Sequence, residues 1–283
     1  MSLWPEMAGG EFALKSIDAG GVRTRYLEAG RADAPAVVFV HGTGGHLETF
    51  ARNVFAHAKH FRVLALDMVG HGFSSKPDHP YEISHYVRHL DAFLTAVGVS
   101  KAHLHGESLG GWIVAQYAID HPQRVNRLVL NTAGGLNTDE QVMQRVYNVT
   151  MNAVRNASLE TVRKRLEWLV HDPADVPHDL VELRHAIYTQ PGFEQAMEHI
   201  LCLQFMDVRI RNVLTDESIS RIKAKTLVIW TDHDPTAPVA TGERFVKAIP
   251  DARLVVMKDC AHWPQWEKAD EFNTLHIDFL LGR

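Results

Sequence analysis

Gly106-Glu107-Ser108-Leu109-Gly110-Gly111 stands between a short apolar run, Ala102 to Leu104, and a helix-like stretch, Leu109 to Ile119. Gly-x-Ser-x-Gly between a strand and a helix forms a nucleophile elbow, a tight turn that lifts the serine hydroxyl out of a sheet. The flanking glycines leave room for a turn that a Cβ would block. The elbow therefore demands a strand that ends in it and a helix that starts from it. A serine hydroxyl is a poor nucleophile at neutral pH, so the motif carries chemistry only if a base and an acid stand elsewhere in the chain.

The pattern around the elbow is that of an α/β protein. A hairpin is expected from Phe12 to Ile17, a turn at Gly20-Gly21, and Val22 to Glu28. Apolar runs follow at Val37–Val40, Phe61–Leu66, Ala102–Leu104, Leu128–Leu130, Thr226–Trp230 and Leu254–Met257, as strands buried on both faces would read. Helical patterns separate them; Ile83, Val87, Leu90, Leu94 and Val97 form one stripe at 3–4 spacing. Strands alternating with helices imply a mostly parallel sheet with helices on both faces. Between Asn137 and Ile222 the alternation stops. Helical periodicity continues there (Val162, Leu166, Leu169; Leu180, Leu183, Ile187), punctuated by Pro173, Pro177 and Pro191-Gly192. Residues 137–222 are read as a helical cap inserted into a core made of 1–136 and 223–283.

The partners of an elbow serine follow in the order acid, then histidine, each in a loop after a strand. After Leu227–Trp230 comes Thr231-Asp232-His233-Asp234-Pro235, and after Leu254–Met257 comes Lys258-Asp259-Cys260-Ala261-His262-Trp263. His262 is the candidate base and Asp234 or Asp232 its orienting acid. Asp234 is preferred, being farther from the strand end and directly before Pro235. His41-Gly42-Thr43-Gly44-Gly45 follows the Val37–Val40 strand. Such a loop can turn backbone N–H groups toward the nucleophile, so the amides of Thr43 and Leu109 are the expected oxyanion hole, with Gly42 and Gly44 against the substrate. The same loop is a poor phosphate cradle, because Leu47 replaces the last glycine of G-x-G-x-x-G and no P-loop lysine follows.

A net charge of −5 over 283 residues gives no reason to expect nucleic acid or an anionic membrane as partner. The start of the chain lacks the basic and apolar regions of a signal peptide, and no apolar run nears the ~20 residues of a membrane span. Two cysteines, Cys202 and Cys260, make no disulfide framework and suit a reducing cytoplasm. Eighteen histidines raise the question of a metal. His103-x-His105 and His85/His89 lack both H-E-x-x-H and nearby carboxylates, so no metal is expected. Trp168, Phe193, Phe205 and Met206 could line an apolar pocket, although such residues are more often cap core.

Three stretches resemble the meta-cleavage product hydrolases, a carbon–carbon bond hydrolase branch of the α/β-hydrolase fold. They are Ile222–Trp230, the segment from Asp259 through His262-Trp263 to Asn273, and Leu183-Arg184-His185-Ala186-Ile187 followed by Gln190-Pro191-Gly192-Phe193. The resemblance implies an α/β-hydrolase fold with a cap, and a Ser108–His262–Asp234 triad. It also implies that Arg184 binds the substrate carboxylate and that Trp263 walls the site. A guanidinium suits a carboxylate because it offers two parallel hydrogen bonds. The implied substrate is a 2-hydroxy-6-oxo-hexa-2,4-dienoate, cleaved to 2-hydroxypenta-2,4-dienoate and a carboxylic acid without a cofactor, and the resemblance also implies a homo-oligomer. One residue departs from the family pattern: Glu107 stands where asparagine usually precedes the serine. Ionised Glu cannot donate to a substrate oxygen and would repel a carboxylate, so Glu107 either turns toward solvent or protein donors, which is the preferred expectation, or is protonated, or the substrate sits differently. A carboxylesterase or lactonase with the same triad, and a non-catalytic binding protein of this fold, are the competing readings.

Overall fold

In the computed structural model, which describes residues 2–283, each apolar run becomes a strand. These are β1 (Phe12–Asp18), β2 (Arg23–Ala29), β3 (Ala36–Val40), β4 (Arg62–Leu66), β5 (Ala102–Glu107), β6 (Val125–Asn131), β7 (Lys225–Thr231) and β8 (Ala252–Met257). They form one sheet in the order β1-β2-β4-β3-β5-β6-β7-β8. The pairs β1/β2 and β2/β4 are antiparallel and the others parallel. All five residues of β3 are buried, whereas the edge strand β1 exposes much of its length. β5 runs three residues beyond its apolar stretch, through His105 and Gly106 to Glu107. Its polar residues are buried in hydrogen-bonded and ring contacts, so hydrophobicity alone could not mark its end.

The stripe Ile83, Val87, Leu90 and Leu94 is buried on a helix spanning Ile83–Ala96. The elbow helix, Leu109–Asp120, is buried almost all round, as expected of a helix enclosed by sheet and neighbouring helices. Between β6 and β7 the chain is helical throughout, with helices at Glu140–Arg155, Leu159–Glu167, His178–Tyr188, Phe193–Ile200, Met206–Asn212 and Asp216–Ile219. Asp139 caps the first of these, and Ser158 with Thr161 forms a capping box on the second. Val162, Leu166, Leu180, Ile187, Phe193 and Met197 are buried. One detail departs from the sequence pattern: Leu183 is half-buried, and its neighbour Arg184 takes the enclosed position.

Hydrogen bonds join the insertion to the sheet side. Trp266 Nε1 donates to the Asp175 carbonyl (2.8 Å), and the Tyr81 amide donates to the His199 carbonyl (3.0 Å). Among the described residues, no helix is long and apolar enough to cross a membrane.

Candidate active site

Ser108 sits between β5 and its helix with φ 55° and ψ −116°, a conformation that residues with a side chain rarely hold. Three backbone bonds fix it: its N–H donates to Asn131 O (3.0 Å), and its carbonyl accepts from Trp112 N (3.1 Å) and Gly134 N (2.8 Å). A Cβ on Gly106 would strike the Gly110 carbonyl, and one on Gly110 would strike the Val40 carbonyl. The glycines thus let β3, β5 and the elbow helix approach closely enough to hold the strained serine.

His262, in the loop after β8, is anchored from both sides. Its amide donates to Leu169 O of the insertion (2.9 Å), and its carbonyl accepts from Thr132 Oγ1 (3.0 Å). Glu267 Oε1 receives the amides of Ala261 and Trp263, each at 3.1 Å, so one carboxylate clamps both neighbours of the imidazole. His262 Nδ1 lies 2.9 Å from Asp234 Oδ2, while Asp234 Oδ1 receives the amide and hydroxyl of Thr236, both at 2.7 Å. Burial opposes charge on Asp234, but the imidazole and the Thr236 donors outweigh it and hold its carboxyl below the usual range. Asp232 is exposed and lies 3.8 Å from Lys258 Nζ, away from the imidazole.

The other imidazole nitrogen, Nε2, faces Glu107 Oε1 at 3.3 Å. Glu107 Oε2 accepts the Gly42 N–H at 2.8 Å, and Oε1 has no hydrogen-bond partner. Glu107 has turned to a protein donor, as expected, yet it has not left the site: it is 2% exposed and wedged between Gly42 and His262. Burial raises its carboxyl above the ordinary value, against the pull of His262 and the Gly42 amide. On His262 burial acts the other way, but Asp234 and Glu107 prevail and its affinity for a proton is raised.

Two cavities meet at Ser108, and Thr43, Val146 and Thr236 border both. The first passes Leu109, Trp112, Met143 and Leu203; the second passes Glu107, His262, Trp263, Arg165 and Trp168. Leu109 opens its helix, so its N–H is among the donors a helix leaves unpaired, next to Ser108 and opposite Thr43. Gly42 runs so close to the elbow that a Cβ there would come within 2.8 Å of Ser108 Cβ. Gly44, at φ 67°, instead abuts Tyr188 and Met197 and borders neither cavity, while Gly45 borders the second.

Arg184 is 1% exposed and borders neither cavity; its guanidinium lies 6.0 Å from the Trp263 ring, which borders the second. Nη1 donates to Tyr188 Oη (3.3 Å), whereas Nε and Nη2 are buried without partners. Unpaired donors on a buried cation are costly, and an anionic ligand would satisfy them. Sequence reasoning passed over a second such residue. Arg165 is 4% exposed and borders the cavity; its Nε donates to Thr150 Oγ1 (3.1 Å), while its Nη1 and the nearby Trp168 Nε1 lack partners. Arg163-Lys164-Arg165 reads as a solvated run, and the signal lay in spacing, since Arg165 falls three residues after Val162 on the buried face. Of the proposed apolar liners only Trp168 reaches these cavities; Phe193 stacks on Tyr188 within the insertion, and Phe205 is half exposed.

The histidines noted in the sequence lie apart from this centre. His105 Nδ1 and His57 Nε2 bracket the ring of His276 at 3.2 and 2.8 Å, and His89 bonds Thr24. Among the described residues, no group of three or more His, Cys, Asp or Glu side chains is placed to hold a metal ion.

Comparison with known proteins adds to this geometry. The family model described as alpha/beta hydrolase fold matches residues 35–269. The chain is 33% identical over 272 residues to the 2-hydroxy-6-oxo-6-phenylhexa-2,4-dienoate hydrolase of Comamonas testosteroni, with 91% of each chain covered. It is 32% identical over 277 residues to the 2-hydroxy-6-oxo-2,4-heptadienoate hydrolase of Pseudomonas putida, covering 95% of this chain and 96% of that one. Among solved structures it resembles a meta-cleavage product hydrolase from Pseudomonas fluorescens IP01, with a TM-score of 0.84 and 30% identity over 95% of this chain and 97% of that one.

Proposed function

Because the chain belongs to the α/β-hydrolase family and, within it, to the meta-cleavage product hydrolases, we propose that it hydrolyses the C5–C6 bond of 2-hydroxy-6-oxo-hexa-2,4-dienoates with Ser108, His262 and Asp234 as its triad. The observation that supports the substrate class is Arg184, a buried guanidinium 6.0 Å from the Trp263 ring whose Nε and Nη2 have no partner. An ordinary ester has no carboxylate to fill that position, whereas the dienoate has one at C1. Residues 137–222 act in this reading as the cap that closes the site, and Arg184 and Arg165 are its contribution.

An enol-to-keto shift first gives the C5–C6 bond an electron sink. Ser108, deprotonated by His262, then attacks the C6 carbonyl, and the amides of Thr43 and Leu109 receive the oxyanion. Cleavage releases 2-hydroxypenta-2,4-dienoate, and water frees the acyl group from Ser108 as a carboxylic acid. Asp234 holds the proton on Nδ1, so that Nε2 is the basic nitrogen, and it stabilises the imidazolium. No step calls for a metal or an organic cofactor.

Glu107 favours a second reading. A carboxylate beside His262 would repel an anionic substrate, which suits a carboxylesterase or lactonase instead. A spectrophotometric screen of dienoates bearing phenyl, methyl or hydrogen at C6, run beside p-nitrophenyl esters, separates the two. Faster specific turnover of a dienoate supports carbon–carbon cleavage; ester hydrolysis with every dienoate left intact overturns it.

A further inference from the structure

Glu107 Oε1 and His262 Nε2 are buried 3.3 Å apart, which brings two acceptors together when the acid is ionised and the imidazole neutral. Asp234 Oδ2 at 2.9 Å fixes one proton on Nδ1, which leaves a lone pair on Nε2 of a neutral imidazole. Glu107 Oε1 stands 3.3 Å from that nitrogen, outside hydrogen-bond alignment, and is itself an acceptor if ionised. One proton carried by the pair relieves the conflict, on Oε1 as a carboxylic acid or on Nε2 as an imidazolium. The remaining groups around Glu107 are fixed: Oε2 takes the Gly42 N–H, Ser108 follows it in the chain, Asp234 lies beyond His262, and Arg165 stands in the wall of the same cavity, with Arg184 deeper in the insertion. Oε1 has no hydrogen-bond partner, and Glu107 borders the cavity together with Ser108, His262 and Trp263.

We propose that Glu107 is a catalytic acid: the proton it shares with His262 is delivered to C5 of the bound dienoate, and its departure frees His262 Nε2 to accept the Ser108 proton. This rests on the function proposed above. The substrate binds as its dienolate, having released the 2-hydroxyl proton to water. A lone pair on the C2 oxygen forms C2=O, the C2=C3 pair moves to C3=C4, and the C4=C5 pair takes the proton to form C5–H. Nothing is oxidised or reduced, and the pair is left as Glu107 carboxylate and neutral His262. After cleavage the electrons return to the C2 oxygen, which is reprotonated by the imidazolium. Hydrolysis of the acyl-serine produces a carboxylic acid, and its ionisation restores the shared proton. The arrangement orders the reaction on the dienoate, because protonation of C5 itself frees the base that activates Ser108.

The test is stopped-flow decay of the dienolate band of a 6-phenyl dienoate, set beside steady-state hydrolysis of p-nitrophenyl acetate, in wild type, Glu107→Gln and Glu107→Asp. A general acid is worth ~10²–10⁴ in rate. Glu107→Gln is expected to slow C5 protonation at least ~100-fold more than it slows ester hydrolysis, and Glu107→Asp to recover part of the difference. Equal losses in both reactions mean that Glu107 only supports the fold, and unchanged dienolate decay means that the proton comes from elsewhere; either overturns the proposal. A wild-type enzyme that hydrolyses the ester but no dienoate overturns the underlying function instead, an outcome distinct from wild type and Glu107→Gln consuming dienoate alike.

Discussion

His262 Nε2 lies 3.3 Å from Glu107 Oε1, so the residue before Ser108 places a buried carboxyl group against the imidazole. This relationship bears on pH. His262 binds its proton more tightly than an ordinary histidine, because Asp234 and Glu107 outweigh the cost of burial. Only the deprotonated base can activate Ser108, so ester hydrolysis should rise with pH through a value above the usual histidine range. Glu107→Gln removes one of the groups that raise it. The acidic limb of the kcat profile for p-nitrophenyl acetate should therefore move to lower pH in that variant; a limb that stays in place would sink the argument.

Arg184 should set substrate affinity. Its two unpartnered N–H groups would bond the C1 carboxylate, and hydrogen bonds to charged groups are worth about 1.5–3 kcal/mol. Arg184→Gln should raise KM for a dienoate by roughly 10–100-fold. Arg184→Lys should recover little of this, lacking the planar fork. Ester KM, measured in parallel, should change far less.

Arg165 offers a related but separate test. Its free Nη1 and the Trp168 indole N–H border the cavity beside His262 and Trp263. Arg165→Met keeps the bulk and removes the donors. Loss of a charged hydrogen bond of about 1.5 kcal/mol predicts roughly tenfold lower kcat/KM on dienoates, and unchanged values would place Arg165 outside substrate contact.

Glu267 positions rather than reacts. It holds the amides on both sides of His262 and, through Oε2, the His171 amide at 2.7 Å. Glu267→Gln should lower kcat about tenfold, the worth of one charged hydrogen bond, with KM nearly constant. A rise in KM with kcat intact would argue for a substrate contact instead.

Acid should unfold the protein early. Burial holds His46, His57, His89 and His103 down to about 4, and His71 and His105 to about 3. Each is neutral in the fold but protonated below ~6.5 once unfolded, so its stabilisation is complete above that pH and lost as pH falls toward the folded value. Each costs about 1.4 kcal/mol per pH unit between those values, so even three of the six would remove roughly 4 kcal/mol per unit from a typical 5–15. Urea midpoints at pH 7.5, 6.5 and 5.5 should fall steeply below 6.5; a flat profile would mean that these histidines are already charged in the fold.

Much of this was legible in the chain because apolar runs and glycines report backbone requirements directly. Gly106 and Gly110 announce contacts that no Cβ could survive, and the runs at Val37–Val40 and Leu227–Trp230 mark strands buried on both faces. Buried polar residues were less legible. β5 continues to Glu107 through histidines whose partners come from distant helices, such as His276 beside His105. Arg165 lies in a charged run, and only three-dimensional packing turns it inward. Glu107 stood out as a departure from pattern, but its place against His262 depends on a loop 155 residues downstream and on the Gly42 amide.

The most direct test follows a 6-phenyl dienoate with purified wild type and Ser108→Ala. The account predicts loss of the dienoate band with equimolar 2-hydroxypenta-2,4-dienoate and benzoate in wild type, and a rate at least ~10³-fold lower in Ser108→Ala. Cleavage by Ser108→Ala at the parent rate would contradict it.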